Sequence, residues 1–393
     1  MFARLLRAGG VALGVAVLGA TVPACQIPGA KKVAPRPVFY PPRPDPAHSP
    51  YLTSINTLRD VKGERGSFAR FIMGEEKLSP KDALDRPYGI AVWQGKVYVA
   101  DHNRGDVLVF DVKNRTLRGL NGDERLIASP TNLCIDDEGR KFIVEPMRKK
   151  IQVFDAQDRY LKTFDIAEGR PTGVAAIGKE LFVSDGKGNR ILVLDPSTGK
   201  VVRTLGGAGR GPGQFGMPSA MARDSEGHLY VADLMNFRFQ QLDTTGKALL
   251  VKGQAGDSWG SFARPRGIAV RPDGVIFVVE TIFELVQMFD QKGQVLMAFG
   301  NFTAAPGFLE VPAGIAVDTC CLPYLRKYVD PRFEPEYLVF VASQVGPSKV
   351  GVFAFGHLKP GAEVPANPEP PPGPTRPEKP PIPPITPESA PQT

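Results

Sequence analysis

The stretch PYGIAV at residues 87–92 decides the fold, because it recurs almost unchanged as PRGIAV at 265–270 and as PAGIAV at 312–317. Three further apolar stretches also begin with a proline. The six opening prolines are Pro87, Pro130, Pro171, Pro218, Pro265 and Pro312. Repetition at roughly 40 to 50 residues is typical of arrays in which every repeat is one small supersecondary unit.

Within each unit, the sequence predicts four short strands. The first is a continuous apolar run, as expected for a strand that is covered on both faces. The second ends in an acidic residue, as in 97–101 and 229–233, and the third ends in Phe-Asp or Leu-Asp, as in 151–155 and 191–195. Glycine-containing turns separate the strands. The prediction is an all-β, six-bladed β-propeller over residues 51–358.

The sixth unit contains only three strands, the last at 350–355. The missing outer strand is available at 67–73, and residues 52–61 could form an additional edge strand beside it. We therefore expect a strand from the N-terminal side to complete the last blade, which would remove an open edge that invites aggregation.

These units resemble NHL repeats. The resemblance is carried by Pro-x-Gly-Ile-Ala-Val, by LYVADLMNFR at 229–238 and by the glycine-rich connector 206–215, and it covers about 84–355. It implies a six-bladed propeller. It implies little about activity, because one architecture hosts many functions.

The first 24 residues have the pattern of an export signal. Arg4 and Arg7 precede a short apolar stretch at 11–18, and Val-Pro-Ala-Cys at 22–25 resembles the lipobox of bacterial lipoproteins. Cys25 is then the expected site of lipid attachment, and Gln26 after it favours the outer membrane. The alternative is an ordinary secretory signal that is cut near Ala24.

Proline-rich segments flank the predicted propeller. Residues 25–50 favour an extended tether. Residues 359–393 cannot bury enough apolar surface to fold, and they are interpreted as a disordered tail, a spacer or a ligand for a groove-type domain.

Composition narrows the function only slightly. The 42 glycines and 39 prolines indicate many turns and little helix. The net charge of +7 is spread without a long basic run, which is weak support for an anionic partner, and nucleic acid is not expected. The absence of Cys-x-x-Cys-His excludes covalent haem of the c type.

The ends of the second strands form a candidate metal site at one face. Five carboxylates and a serine occupy equivalent positions there, namely Asp101, Glu145, Asp185, Asp233, Glu280 and Ser343. Several oxygen ligands could bind calcium. The favoured interpretation is that the acids brace loops and pair with Lys150, Arg190 and Arg238, so that no cofactor is expected.

Histidine usage argues against a lyase. Propeller lyases need several metal-binding histidines, and only His102 is well placed, since His48, His228 and His357 lie in the tether, in a turn of the opposite face and beyond the last blade. The sequence also contains no nucleophile elbow, Walker loop or paired-cysteine zinc motif.

Loops of the fourth and fifth units carry apolar residues that form a candidate partner-binding patch. Its members are Leu234, Met235, Phe237, Arg238, Ile282 and Phe283. Exposed apolar side chains with an arginine at their margin are typical of protein-binding surfaces. Packing against the connector residues Phe262 and Phe308 is an equally good explanation.

The insertion 319–336 replaces a tight turn on the opposite face and is interpreted as a second contact surface or a structural cap. Cys320 and Cys321 within it are separate thiols or, less favoured, a strained vicinal disulfide. Cys134 is expected to be a small buried residue.

Together these features predict an exported, outer-membrane-tethered propeller that binds a protein or polymer in the cell envelope without catalysis. The alternative is a metal-dependent hydrolase or lyase that uses the carboxylates around the channel.

Overall fold

The computed structural model describes residues 38–40, 49–57, 60, 83–121, 125–300 and 307–362. Two N-terminal strands, β1 (Val38–Tyr40) and β2 (Ser49–Ser54), precede six antiparallel sheets, which we number as blades in chain order. The strands of the first three blades are β3 (Pro87–Trp93), β4 (Lys96–Asp101), β5 (Asp106–Asp111), β6 (Thr116–Gly119); β7 (Asn132–Ile135), β8 (Lys141–Glu145), β9 (Lys150–Phe154), β10 (Tyr160–Asp165); and β11 (Pro171–Ile177), β12 (Glu180–Asp185), β13 (Arg190–Leu194), β14 (Val201–Leu205).

The other blades continue the same order. Their strands are β15 (Pro218–Arg223), β16 (Leu229–Asp233), β17 (Arg238–Leu242), β18 (Ala248–Lys252); β19 (Pro265–Val270), β20 (Ile276–Glu280), β21 (Leu285–Phe289), β22 (Val295–Phe299); and β23 (Pro312–Asp318), β24 (Phe333–Ser343), β25 (Val350–Leu358). The helical elements among the described residues are short: a 3-10 turn at Leu234–Asn236, the helix α1 (Leu322–Leu325) and a 3-10 turn at Arg326–Tyr328. No helix in these ranges is long and apolar enough to cross a membrane.

The inner strands close a ring. Each inner strand contacts that of the next blade in the order β3, β7, β11, β15, β19 and β23, and β23 contacts β3. The predicted six-bladed β-propeller is therefore confirmed.

Glycines allow the inner strands to approach one another closely. A Cβ atom on Gly314 of blade 6 would lie 2.2 Å from the carbonyl oxygen of Tyr88 in blade 1, and one on Gly267 of blade 5 would lie 2.3 Å from the carbonyl oxygen of Ala313 in blade 6. Only a residue without a side chain fits there. This contact explains the glycine in the repeated Pro-x-Gly.

An N-terminal strand completes blade 6, as predicted, but it is β2. Strand β2 pairs with β25 and places Tyr51 opposite Phe353, while β1 pairs with the outer edge of β2. The strand predicted at 67–73 lies outside the described residues, and its expected place beside β25 is occupied. Strand β1 and the start of β2 fall within 25–50, the range predicted as a tether.

The core lies between blades, since successive residues of a strand point to opposite faces of its sheet. In β4, Val97 and Val99 pack toward blade 6, whereas Tyr98 and Ala100 pack toward blade 2. Strand β2 follows the same rule: Tyr51 packs with the blade 5 to blade 6 cluster, and Leu52 packs with the blade 6 to blade 1 cluster.

A buried ionic network joins blades 1 and 2. The Lys141 Nζ atom, which is fully buried, lies 2.6 Å from Asp158 Oδ1 and donates to the carbonyl oxygens of Asp155 and Ala156 at 2.9 and 3.0 Å. Asp158 also accepts hydrogen bonds from the hydroxyl of Tyr98 and the guanidinium of Arg118. Burial lowers the pKa of Lys141, and the adjacent carboxylate opposes that shift.

The insertion 319–336 packs onto the junction of blades 6 and 1. Cys321 and Leu325 are buried in the cluster that contains Val97, Phe110 and Phe333. These contacts are those of a structural cap. Cys320 is exposed, Cys321 is buried, and both are free thiols, so the vicinal disulfide is not formed. Burial, reinforced by the nearby charge of Asp318, raises the pKa of both thiols.

Candidate functional site

We call the upper face the end of the propeller at which the second strands finish and the opening prolines lie. Its surface is built from the connectors between blades and from the loops between second and third strands. The antiparallel pairing places Pro87 opposite Asp101 and Pro265 opposite Glu280, so the proline and the acid of a repeat meet at this end. This geometry brings the five predicted carboxylates to one face.

The five carboxylates bind the backbone of the connector that enters their own blade. Glu280 accepts hydrogen bonds from the N–H groups of Ala263 and Arg264 at 3.0 and 2.9 Å. Glu145, Asp101, Asp185 and Asp233 accept equivalent bonds from the backbone N–H groups of Ala128, Asp85, Arg170 and Gly216. All five side chains are fully buried. Each acid therefore fixes the residues that precede its opening proline.

Two of the three predicted basic partners are present. Arg190 Nε lies 3.1 Å from Asp185, and Arg238 Nε lies 3.0 Å from Asp233. The prediction for Lys150 is wrong, because Lys150 lies opposite Glu145 in the hairpin but its Nζ pairs with Asp165. Arg148 pairs with Glu145 instead.

In blade 6, a carboxylate of the neighbouring blade binds the connector. Ser343 replaces the acid, and the N–H group of Val311, just before the opening proline, donates to Glu284 of blade 5 at 3.2 Å. In the described ranges, no three His, Cys, Asp or Glu side chains converge on a point where a metal could bind. The hydrogen bonds to the connectors support the bracing role of the acids.

The predicted apolar patch is only partly available to a partner. Met235 and Ile282 are exposed, whereas Leu234, Phe237 and Phe283 are half-buried. Phe237 packs against the cluster that contains Phe262, which was the alternative explanation.

Arg238 does not lie at the margin of this patch. It is buried, and besides Asp233 it donates to the carbonyl oxygens of Arg210, Gly211 and Gln214. The prediction that Arg238 contacts a partner is therefore corrected, because its guanidinium holds the glycine-rich connector. Its backbone is opposite Asp233 in the hairpin, which directs the two side chains together.

The exposed apolar surface extends beyond blades 4 and 5. Met235 and Ile282 stand two residues after the end of their second strands, and the same position holds Met147 in blade 2 and Val345 in blade 6. Their exposed fractions are 53, 56, 72 and 43% for Met235, Ile282, Met147 and Val345. We name these four residues the apolar ring. Asn103 and Lys187 occupy the position in blades 1 and 3. The sequence analysis considered only the loops of blades 4 and 5. Aligning all six repeats would have found Met147 and Val345, because they occupy the same repeat position as Met235 and Ile282.

Histidines do not form a catalytic group among the described residues. His228 bonds Asp224 at the opposite, lower face, at 2.8 Å, and His357 lies 3.3 Å from Glu336. Only His102 lies at the upper face, where its ring is 5.5 Å from that of Tyr88. His48 lies outside the described residues.

A groove of about 420 Å³ lies at the lower face between blades 5 and 6. In its lining, Arg271 binds Asp273 and stacks over Tyr337 at 4.4 Å from the ring centroid. Burial raises the pKa of Tyr337 to about 12. The Arg271 guanidinium is therefore held by other residues of the groove.

No protein-family model matches the chain. Among solved structures, it is similar to a gluconolactonase from Xanthomonas campestris, with a TM-score of 0.50, 15% identity, and coverage of 78% of this chain and 98% of that one. It is also similar to a catalytically inactive virginiamycin B lyase from Staphylococcus aureus with quinupristin, with a TM-score of 0.50, 17% identity, and coverage of 72% of this chain and 98% of that one. A protein of unknown function from Bacteroides thetaiotaomicron has a TM-score of 0.53 and 12% identity, and the match covers 79% of this chain and 75% of that one. At these identities the similarity shows the fold alone. The class defined here is an all-β, six-bladed propeller with an exposed apolar ring on its upper face.

Proposed function

We propose that this protein is a non-enzymatic binding platform whose upper face docks a partner protein of the cell envelope. The observation that carries the proposal is the apolar ring: four large apolar side chains are exposed at equivalent positions of one face. Three of the four follow strands of the consecutive blades 4, 5 and 6. Neighbouring exposed apolar side chains are typical of an interaction site, whereas scattered ones are not.

Rigidity supports the same interpretation. Three of the four loops that present the ring follow a buried carboxylate, and Asp233 binds Asn236 while Glu280 binds the N–H group of Ile282. Loops that are held in place before binding lose little conformational entropy when a partner docks. The upper face also exposes Arg86 and Arg264. A partner surface that is apolar with acidic residues at its edge would complement both features.

A pair of double variants tests the docking face. Met235→Ser with Ile282→Ser should abolish recovery of a cross-linked envelope partner, because both changes remove apolar area from the upper face. Leu249→Ser with Leu296→Ser is the matched control, since these leucines are also exposed but lie on outer strands of the same two blades. Equal partner recovery from both double variants would refute the proposal, provided that both retain wild-type circular dichroism.

The membrane tether is part of the proposal. Cys25 and the segments before and after it lie outside the described residues, so the support is the lipobox-like sequence alone. Acyl chains on a cysteine would anchor the chain at about 0.8 kcal/mol per buried methylene. Metabolic labelling with an alkynyl fatty acid should label the wild type and Cys320→Ser but not Cys25→Ser. Labelling of Cys25→Ser at the wild-type level would refute the anchor.

A further inference from the structure

Three arginines cluster on the upper face where blades 5, 6 and 1 meet. Arg86 and Arg264 precede the opening prolines of blades 1 and 5, and Arg266 follows the latter proline. The guanidinium carbons of Arg266 and Arg86 lie 5.4 and 5.7 Å from the centre of the same ring, that of Tyr88. The small Ala313 of blade 6 takes the corresponding inner-strand position between Arg266 and Tyr88.

These arginines have no anionic partner among the described residues. The ion pairs of the described chain involve other arginines, and no carboxylate lies within pairing distance of Arg86, Arg264 or Arg266. Asp101 and Glu280 lie in the same repeats, but they accept hydrogen bonds from the backbone of Arg86 and Arg264. Burial first, and then the charge of Arg264, lowers the pKa of Arg266. A half-buried cation without a counter-ion is unfavourable unless a ligand supplies one.

Unused polar groups surround the same cluster. Arg86 donates to Gln344 Oε1 at 3.4 Å, and the Nε2 atom of this buried glutamine has no hydrogen-bond partner within the described part of the chain. The adjacent Ser343 Oγ and the Nδ1 atom of His102 are also buried, and neither has a hydrogen-bond partner in the ranges that the structure describes. In blades 3 to 5, by contrast, hydroxyl groups near this end bond the next blade, as Ser184 does to the Ser219 carbonyl at 2.6 Å. Orphaned buried polar groups need an explanation, and a missing ligand is one.

We propose that the upper face binds an oxyanion group, a carboxylate or a phosphate, between Arg86 and Arg266 above the ring of Tyr88. Guanidinium groups bind both oxyanions in bidentate geometry. The amide of Gln344 supplies a neutral donor beside them. This site goes beyond the docking of a partner and does not depend on it, because it uses none of the four residues of the apolar ring.

Isothermal titration of the purified chain with inorganic phosphate and with citrate, at constant ionic strength, tests the site. We expect one-site binding of at least one anion, and a loss of roughly tenfold or more in affinity for Arg266→Gln and for Arg86→Gln. Arg170→Gln is the matched control, because Arg170 precedes the opening proline of blade 3 and is also exposed. Its affinity should stay within about twofold of the wild type.

The outcomes separate the possibilities. Binding of phosphate alone identifies a phosphate ligand, and binding of citrate alone identifies a carboxylate ligand. Failure of both anions to bind the wild type overturns the proposal, as does equal weakening by Arg170→Gln and Arg266→Gln. Because Arg86 is exposed, Arg86→Gln keeps the test valid if Arg266→Gln unfolds. Met235→Ser with Ile282→Ser should bind the anion normally, which distinguishes failure of this site from failure of the docking face.

Discussion

Replacing Asp158 by asparagine should be among the most damaging single changes in the propeller. The substitution keeps the shape of the side chain but removes the only carboxylate of the described residues that contacts the buried Lys141 ammonium group. Two backbone carbonyls would remain as its partners. Breaking a buried ion pair by removing one partner costs about 3 to 5 kcal/mol, because the remaining charge stays buried.

Lys141→Met should cost less, at about 1 to 3 kcal/mol, because Asp158 keeps Arg118 and the hydroxyl of Tyr98. Lys141→Met with Asp158→Asn removes both charges, so we expect its cost to be below the sum of the single costs by at least about 1 kcal/mol. Urea unfolding, followed by tryptophan fluorescence, measures all four proteins. The Trp93 ring lies 4.9 Å from Lys141 Nζ and reports on the site directly.

The dependence on pH gives an independent check. In Asp158→Asn, burial without a counter-ion lowers the pKa of Lys141 further below its ordinary value of 10.5. The unfolded chain then binds more protons than the folded chain, so the stability of the variant should rise relative to the wild type as the pH increases toward that value. A cost below about 1 kcal/mol for Asp158→Asn, or strictly additive single costs, would show that the network does not join the two blades.

Three further changes test other contacts. Gly314→Ala should destabilise the protein by about 2 kcal/mol or more in urea unfolding, since the new Cβ would meet the Tyr88 carbonyl oxygen. Gly207→Ala is the control and should be nearly neutral, because nothing lies within 4 Å of its Cβ. Equal effects of the two substitutions would contradict the close approach of the inner strands. Glu280→Gln should lower the free energy of unfolding by about 2 to 4 kcal/mol, because an amide leaves a backbone donor of the connector unpaired. A urea midpoint unchanged from the wild type would disprove the bracing role. Hydrogen bonding to Arg203 lowers the pKa of Glu180, so this pair stabilises the protein above the ordinary carboxyl range and loses its effect as the pH falls through the lowered pKa. Glu180→Gln should therefore lose slightly less stability than the wild type between about pH 6 and pH 3. A larger loss in the variant than in the wild type would contradict this account of the pair.

The sequence predicted the inner parts of the blades well. Strands buried on both faces leave long apolar runs, and the Pro-x-Gly repeat marks where neighbouring inner strands touch. The pairing of Arg190 and Arg238 with the acids five residues earlier also followed from the hairpin spacing.

Outer elements were harder to predict. Strand β2 carries few apolar residues and begins inside the proline-rich segment, so the sequence predicted 67–73 as the closing strand and 52–61 only as an additional edge strand. What defines it as a strand is the exposed edge of β25, which is a tertiary feature. The arginine cluster was equally hidden, because Arg86 and Arg266 are far apart in sequence and meet only when blade 6 brings blades 5 and 1 together.

Completion of blade 6 by β2 also has a consequence for biogenesis. Strand β2 leaves the ribosome among the first segments of the propeller, but its neighbour β25 is among the last. Until synthesis is almost complete, β2 has no β25 edge to join, and the ring stays open during translation. A strand with an unpaired edge is prone to aggregate. Folding of this chain should therefore depend on a holding chaperone, and a ribosome-stalled chain that ends before Val350 should stay sensitive to protease.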